Sequence, residues 1–179
     1  MKKFLLLLAI FLLLGCEKDL NNTPTKRVEV FLSNYQALSE EVEAKIIADV
    51  DEMTDLTEEE KESYIDLWKK HYRALTYEIK DEKVDGDDAT VTVEIEVFDY
   101  GQVLLNARKA LTESPELFQD ELGNYSSSMY NDYRLNALKN SREKVKYTID
   151  FKAKKINKKW VLQALDEESN QKISGTFIY

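Results

Sequence analysis

Twice in this chain apolar and polar residues alternate one for one, a pattern that admits little besides antiparallel sheet. Leu75, Tyr77 and Ile79 alternate with Thr76, Glu78 and Lys80. After the turn-forming Asp85-Gly86-Asp87-Asp88, Val91, Val93, Ile95 and Val97 alternate with Thr90, Thr92, Glu94 and Glu96. Further on, Val145, Tyr147, Ile149, Phe151 and Ala153 alternate with Lys144, Lys146, Thr148, Asp150, Lys152 and Lys154. A turn is expected near Asn157-Lys158-Lys159, with a returning strand over 160–165. Side chains along a strand point to opposite faces with period two, so each segment predicts one buried and one wet face.

Before the first alternation the period is that of a helix. Thr23-Pro24 is a cap followed by a first-turn proline, and Val28, Phe31, Leu32, Tyr35 and Leu38 recur at three and four. A second helix is expected from Ser39, with Val42, Ile46, Val50 and Met53 on one face. Thr57-Glu58-Glu59-Glu60 is a capping box for a third, whose stripe is Tyr64, Trp68, His71 and Leu75. Residues 101–142 return to helical pattern, with Met129, Tyr130, Tyr133, Ala137 and Leu138 expected on one side of the helix that follows Gly123. A short helix from Asp166 should stop at Gly175. The fold class expected is α+β. N-terminal helices pack on a curved antiparallel sheet of at least four strands in two hairpins, with a helical insertion between the hairpins.

The chain has 25 basic and 34 acidic side chains, a formal charge of −9, and a single cysteine. Such a surface repels nucleic acid, so no nucleic-acid partner is expected. At its start stand Lys2-Lys3, then eleven unbroken apolar residues from Phe4 to Leu14, then Gly15-Cys16. Crossing a bilayer takes about 20 apolar residues, so this run is too short to span and reads as a secretory signal. Its end, Leu13-Leu14-Gly15-Cys16, resembles the lipobox of bacterial lipoproteins. The resemblance implies cleavage before Cys16, lipid attached to its sulfur, and attachment to the outer face of the bacterial cytoplasmic membrane, or to an outer membrane where there is one. The division expected is residues 1–15 as signal peptide, 16–23 as a flexible tether reaching at most about 30 Å, and 24–179 as one domain. With Cys16 lipidated no thiol remains for a disulfide, so packing must hold the domain together.

The tether entering a helix at Thr23-Pro24-Thr25, the Asp85-Gly86-Asp87 hairpin and the late Lys158-Lys159-Trp160-Val161-Leu162 strand, taken with the lipobox, resemble a known group. The chain resembles small bacterial lipoproteins that carry a nuclear-transport-factor-2-like, cystatin-like domain. The resemblance spans residues 24–166 and rests on element order. It implies a conical pocket between sheet and helices, and it transfers no functional residue because no motif is matched. The helical stretch 101–142 departs from the group's usual strand-to-strand course.

No residue constellation names a chemistry. His71 is the only histidine, so no histidine pair exists for a metal or a proton relay, and core packing with one hydrogen bond is its simplest role. Asp85, Asp87 and Asp88 miss calcium-loop spacing because Ala89 holds the fifth position, and Asp49, Asp51 and Asp55 miss it because Met53 does. Ser126-Ser127-Ser128 lacks a nucleophile elbow and reads as a helix cap. No metal, cofactor or catalytic residue is expected. Trp68, His71, Tyr77, Tyr147 and Trp160 either line a pocket or fill the core. Charge is lopsided: residues 40–66 hold twelve acidic and two basic side chains, residues 139–159 nine basic and two acidic. Lys144, Lys146, Lys152 and Lys154 share one strand face. They either guard an exposed surface against pairing or receive an anionic partner. The function expected is non-catalytic binding or interaction outside the cytosol, held to the membrane by Cys16, with a protein, cell-wall polymer or small molecule as partner. A small-ligand carrier using the cone is the alternative, and a hydrolase or isomerase of that fold a more distant one.

Overall fold

The computed structural model describes residues 21–53 and 55–178. Leu13, Leu14, Gly15 and Cys16, most of the expected tether, and Tyr179 lie outside the described residues. The order is α1 (Pro24–Ala37), α2 (Glu40–Asp51), α3 (Glu58–Arg73), β1 (Thr76–Asp85), β2 (Asp88–Phe98), α4 (Tyr100–Glu113), α5 (Ser127–Asn140), β3 (Lys144–Ile156), β4 (Lys159–Leu162) and α6 (Glu167–Ile173). A 3₁₀ turn, Pro115–Phe118, separates α4 from α5. The protein is α+β, and its four strands form an open antiparallel sheet in the order β1-β2-β3-β4. The α4–α5 segment is inserted between β2 and β3.

Local chemistry sets the helix starts. The Thr23, Ser39 and Thr57 side chains accept from the backbone N–H of Lys26, Val42 and Glu60 respectively. The Thr57–Glu60 capping box is complete, with Thr57 N–H donating to Glu60 Oε2 at 2.6 Å. Acidic residues crowd the first turns of α2 and α3, where exposed N–H groups favour negative charge.

One face of the sheet is the core. Val91, Val93, Ile95 and Val97 from β2 and Tyr147, Ile149, Phe151 and Ala153 from β3 are all buried. Val28, Leu32 and Tyr35 of α1 and Tyr72 and Leu75 at the end of α3 pack on them. A second, smaller core joins α3 to the insertion through Tyr64, Leu67, Tyr100, Leu135 and Leu138. The opposite sheet face is open and polar. In β1 the alternation breaks where Lys80 is an extra residue between Ile79 and Asp81. A bulge shifts the phase by one residue, so Glu82 falls opposite buried Val91 and accepts from the N–H and Oγ1 of Thr25 at the start of α1.

Two expectations need correction. The returning strand β4 ends at Leu162, short of the expected 165. The chain leaves the sheet there, packs Leu162 and Leu165 against the core and caps α6 with Asp166. In α5 the buried positions are Asn131, Leu135 and Leu138, whereas Met129 and Tyr133 are each 42 % exposed. The helix is rotated relative to the expected stripe because Asn131 is drawn inside, where its amide donates to the carbonyl of Asp55 at 2.8 Å.

The β3–β4 turn joins Ile156 to Lys159 through Asn157 and Lys158, at φ of 50° and 67°. Two positive φ values are those of a type I′ turn, which asparagine tolerates and lysine does not. Lys158→Gly is expected to stabilise the protein by roughly 0.5–1 kcal/mol, seen as a higher denaturation midpoint at unchanged slope.

Candidate functional site

Between sheet and helices, where the resemblance implies a conical pocket, the facing side chains of α1, α3, β2 and β3 among the described residues pack into the main core. A cavity of about 480 Å³ opens elsewhere, between α3, the insertion and the α2–α3 connection. Its back wall is Trp68 and Tyr100, with ring centroids 5.7 Å apart and edge to face. Tyr64 and Leu138 form the floor, Tyr125 and Leu104 the insertion's side, and Met53 and Leu56 the side of the connection. Arg134 of α5 reaches into this apolar setting.

Each part of the site has a local cause. Asn131 and Arg134 are three apart on α5, so they occupy one face. With its amide nitrogen committed to the Asp55 carbonyl, Asn131 turns its Oδ1 toward Arg134 Nη2, 3.3 Å away. Arg134 Nε donates to the Tyr64 hydroxyl at 3.0 Å. The guanidinium lies 5.7 Å from the Tyr64 ring centre and 5.8 Å from that of Tyr130, held by the negative faces of both rings. Burial pushes the Tyr64 phenol up, and the neighbouring guanidinium opposes this, so Tyr64 remains a neutral partner at physiological pH. Two of the five N–H donors of the guanidinium are thus used. Among the described residues no carboxylate pairs with it. The acidic side chains of the lining, Glu52 and Asp55, are exposed at the rim.

Of the residues singled out from the sequence as pocket lining, only Trp68 lines this cavity. His71 lies behind the wall, fully buried, its ring 5.6 Å from that of Trp68 and 4.9 Å from that of Tyr100. Tyr147 is in the main core and donates to the carbonyl of Phe177 at 3.0 Å. Tyr77 is half-buried on β1, and Trp160 packs with Ala89 and Ala153 near the turns of the hairpins. Arg134 and Asn131 went unremarked in the sequence. The one available signal was an arginine at i+4 from Tyr130 within an aromatic-bearing helix.

The lysine face is also resolved in detail. Lys144 lies 3.3 Å from Glu96, Lys146 2.9 Å from Glu94 and Lys154 3.7 Å from Asp88. These carboxylates project from β2 on the same wet face, so the basic strand is largely neutralised by its neighbour. Among the described residues no group of three or more metal-ligating side chains occurs, and no helix is long and apolar enough to cross a membrane. No family model matches the chain, and neither a curated protein nor a solved structure shows significant similarity to it.

His71 makes the wall pH-sensitive. Its Nε2–H donates to the Ile173 carbonyl at 2.9 Å, whereas its buried Nδ1 has no partner among the described residues. Burial in this apolar setting lowers its pKa from 6.5 to about 4, outweighing the carbonyl hydrogen bond. Between those values the unfolded chain holds the extra proton and the folded one does not, so stability falls as pH drops from 6.5 and the loss is complete below about 4. The contribution is roughly 3 kcal/mol, at 1.36 kcal/mol per pKa unit. Denaturation at a series of pH values should show this slope, and His71→Phe should flatten it while lowering stability at neutral pH by about 1–3 kcal/mol through the unpaired Ile173 carbonyl.

Proposed function

We propose that the protein is a non-catalytic binding lipoprotein, tethered to the outer face of a bacterial membrane through Cys16, with a small-molecule site between α3 and the α4–α5 insertion. The observation that carries the reading is the aromatic cavity with convergent polar groups. Its volume of about 480 Å³ falls within the range of small-ligand sites, and an apolar lining with few placed polar atoms is their usual character. The lysine face supports an anionic macromolecular partner less well, because three of its four lysines already face carboxylates. The element order supports a nuclear-transport-factor-2-like arrangement with a curved sheet, the ligand site displaced from the cone into the insertion.

The placement of the site suits a tether. Asn22, at the mouth of α1, accepts from the N–H of Trp160 and donates to the carbonyl of Lys158, fixing the start of the domain beside the β3–β4 turn. The cavity adjoins Tyr100, two residues beyond the far end of β2. At about 3.3 Å per residue, the length of β2 sets the cavity on the order of 30 Å from the tethered end. A lipid on Cys16 would therefore attach at the end of the domain remote from the cavity. Each buried methylene contributes about 0.8 kcal/mol, so two or three acyl chains give lasting attachment.

Intact mass and membrane fractionation test the anchor. The native protein should begin at Cys16, carry acyl chains and sediment with membranes, and Cys16→Ala should retain Met1 and lose the lipid. A native chain beginning at Met1 with a free thiol would end the tethered reading. Leu104→Trp, which fills the cavity, tests the site: native mass spectrometry should find a small molecule on the wild type that the variant lacks. Identical spectra would count against the cavity as a binding site.

A further inference from the structure

The wet sheet face, the polar groove between α2 and α6, and the exposed apolar side chains around Leu122 each lack a feature that selects an occupant. Arg134 does not. Buried guanidinium groups in proteins ordinarily face a carboxylate, since a desolvated cation is costly unless paired. Here a half-buried guanidinium sits among aromatic rings with neutral partners only, and three of its N–H donors are without a partner among the described residues. Its orientation is fixed from three sides, by the Tyr64 hydroxyl, the Asn131 amide oxygen and the two ring faces. A fixed planar fork of this kind matches the two oxygens of one carboxylate.

Resting on the binding reading above, we propose that the cavity receives a small organic monocarboxylate. Its carboxylate would bond to Arg134 in bidentate fashion, and its planar or apolar body would pack against Trp68 and Tyr100. The rim narrows the class further. Glu52 and Asp55 flank the mouth with negative charge, which disfavours phosphates, dicarboxylates and other multiply charged anions. A single negative charge buried at the guanidinium, with an uncharged remainder toward the rim, satisfies both constraints. The aromatic wall favours a ring or planar chain over a compact acid such as acetate.

Three probes of one shape separate the contributions: 3-phenylpropanoate, its neutral amide, and phenyl phosphate. They are titrated into the full chain in mild detergent, followed by calorimetry and by the indole N–H resonances, assigned with Trp160→Phe. The acid is expected to bind at least tenfold more tightly than the amide, to shift the Trp68 resonance and leave that of Trp160 in place, and to exceed phenyl phosphate. Arg134→Gln should reduce acid binding to the level of the amide, and Arg134→Lys should restore only part of it. The acid–amide comparison uses the wild type and so does not depend on the variants folding. Equal binding of acid and amide at Trp68, unaffected by Arg134→Gln, would overturn the carboxylate assignment and leave the binding site standing. Tighter binding of phenyl phosphate would overturn the single-charge assignment alone. Absence of any Trp68 response to all three would overturn both.

Discussion

The buried imidazole of His71 is where the separate parts of this protein are joined. It sits on α3, donates across to the Ile173 carbonyl of α6, and is enclosed by the rings of Trp68, Tyr72, Phe98 and Tyr100. The C-terminal segment can pass so close only because residue 175 is glycine. A Cβ there would lie 2.1 Å from the Phe98 carbonyl oxygen and 2.9 Å from His71 Cε1, and its φ of +68° already favours glycine. The segment is then held by Gly101 N–H donating to the Gly175 carbonyl at 2.7 Å and by the Tyr147 hydroxyl on Phe177. A buried polar atom left unpaired costs more than its hydrogen bond contributes when made, so this clasp is all or nothing. Since Trp68 and Tyr100 pack on His71 on one side, edge-on and tilted, and line the cavity on the other, the clasp also holds the cavity wall in place.

Charge on this protein is abundant and mostly spent locally. Lysines of β3 face carboxylates of β2, Lys69 reaches Glu43 across α2 and α3, and Lys172 pairs with Glu168 within α6. Such exposed pairs contribute little stability each. Their effect is to offset the basic strand β3 with the carboxylates of β2 beside it, while the acidic run 40–66 pairs with lysines of its own helices. Arg134 differs from these lysines in that its partners are neutral and two aromatic rings flank its guanidinium, and it lines the largely apolar cavity.

What was legible in the sequence was whatever depends on near neighbours. Thr57 and Glu60 are three residues apart, the alternation of β2 and β3 repeats every two, and the helix stripes repeat every three or four, so caps, strands and the covering face of α1 could be read directly. The cavity depends on distant pairs. Arg134 meets Tyr64 across 70 positions, and Asn131 meets Asp55 across 76. Nothing local says that a polar Asn131 belongs inside α5, since its inward turn is justified only by a carbonyl on another connection. The same limit left open whether the aromatic residues line a pocket or fill the core. Tyr77 and Tyr147 pack with the main core beneath α1 and α3, and Trp160 packs with Ala89 and Ala153.

The insertion explains why a site could arise where it did. Helices α1 to α3 with the sheet already bury a continuous core of their own, and α4 and α5 add little to it. They build instead a second cluster on the back of α3, through Tyr100, Leu135 and Leu138. The cavity opens at the edge of this second cluster, which supplies Leu56, Tyr64, Trp68, Tyr100, Leu104 and Leu138 to its lining. Trp68 belongs to α3, which is held rigidly by both cores, whereas Arg134 and Tyr130 come from the insertion. The cavity thus sets Trp68 of α3 against Tyr100 of α4 and the polar groups of α5, so its aromatic and polar walls both depend on how the segment between β2 and β3 packs on α3.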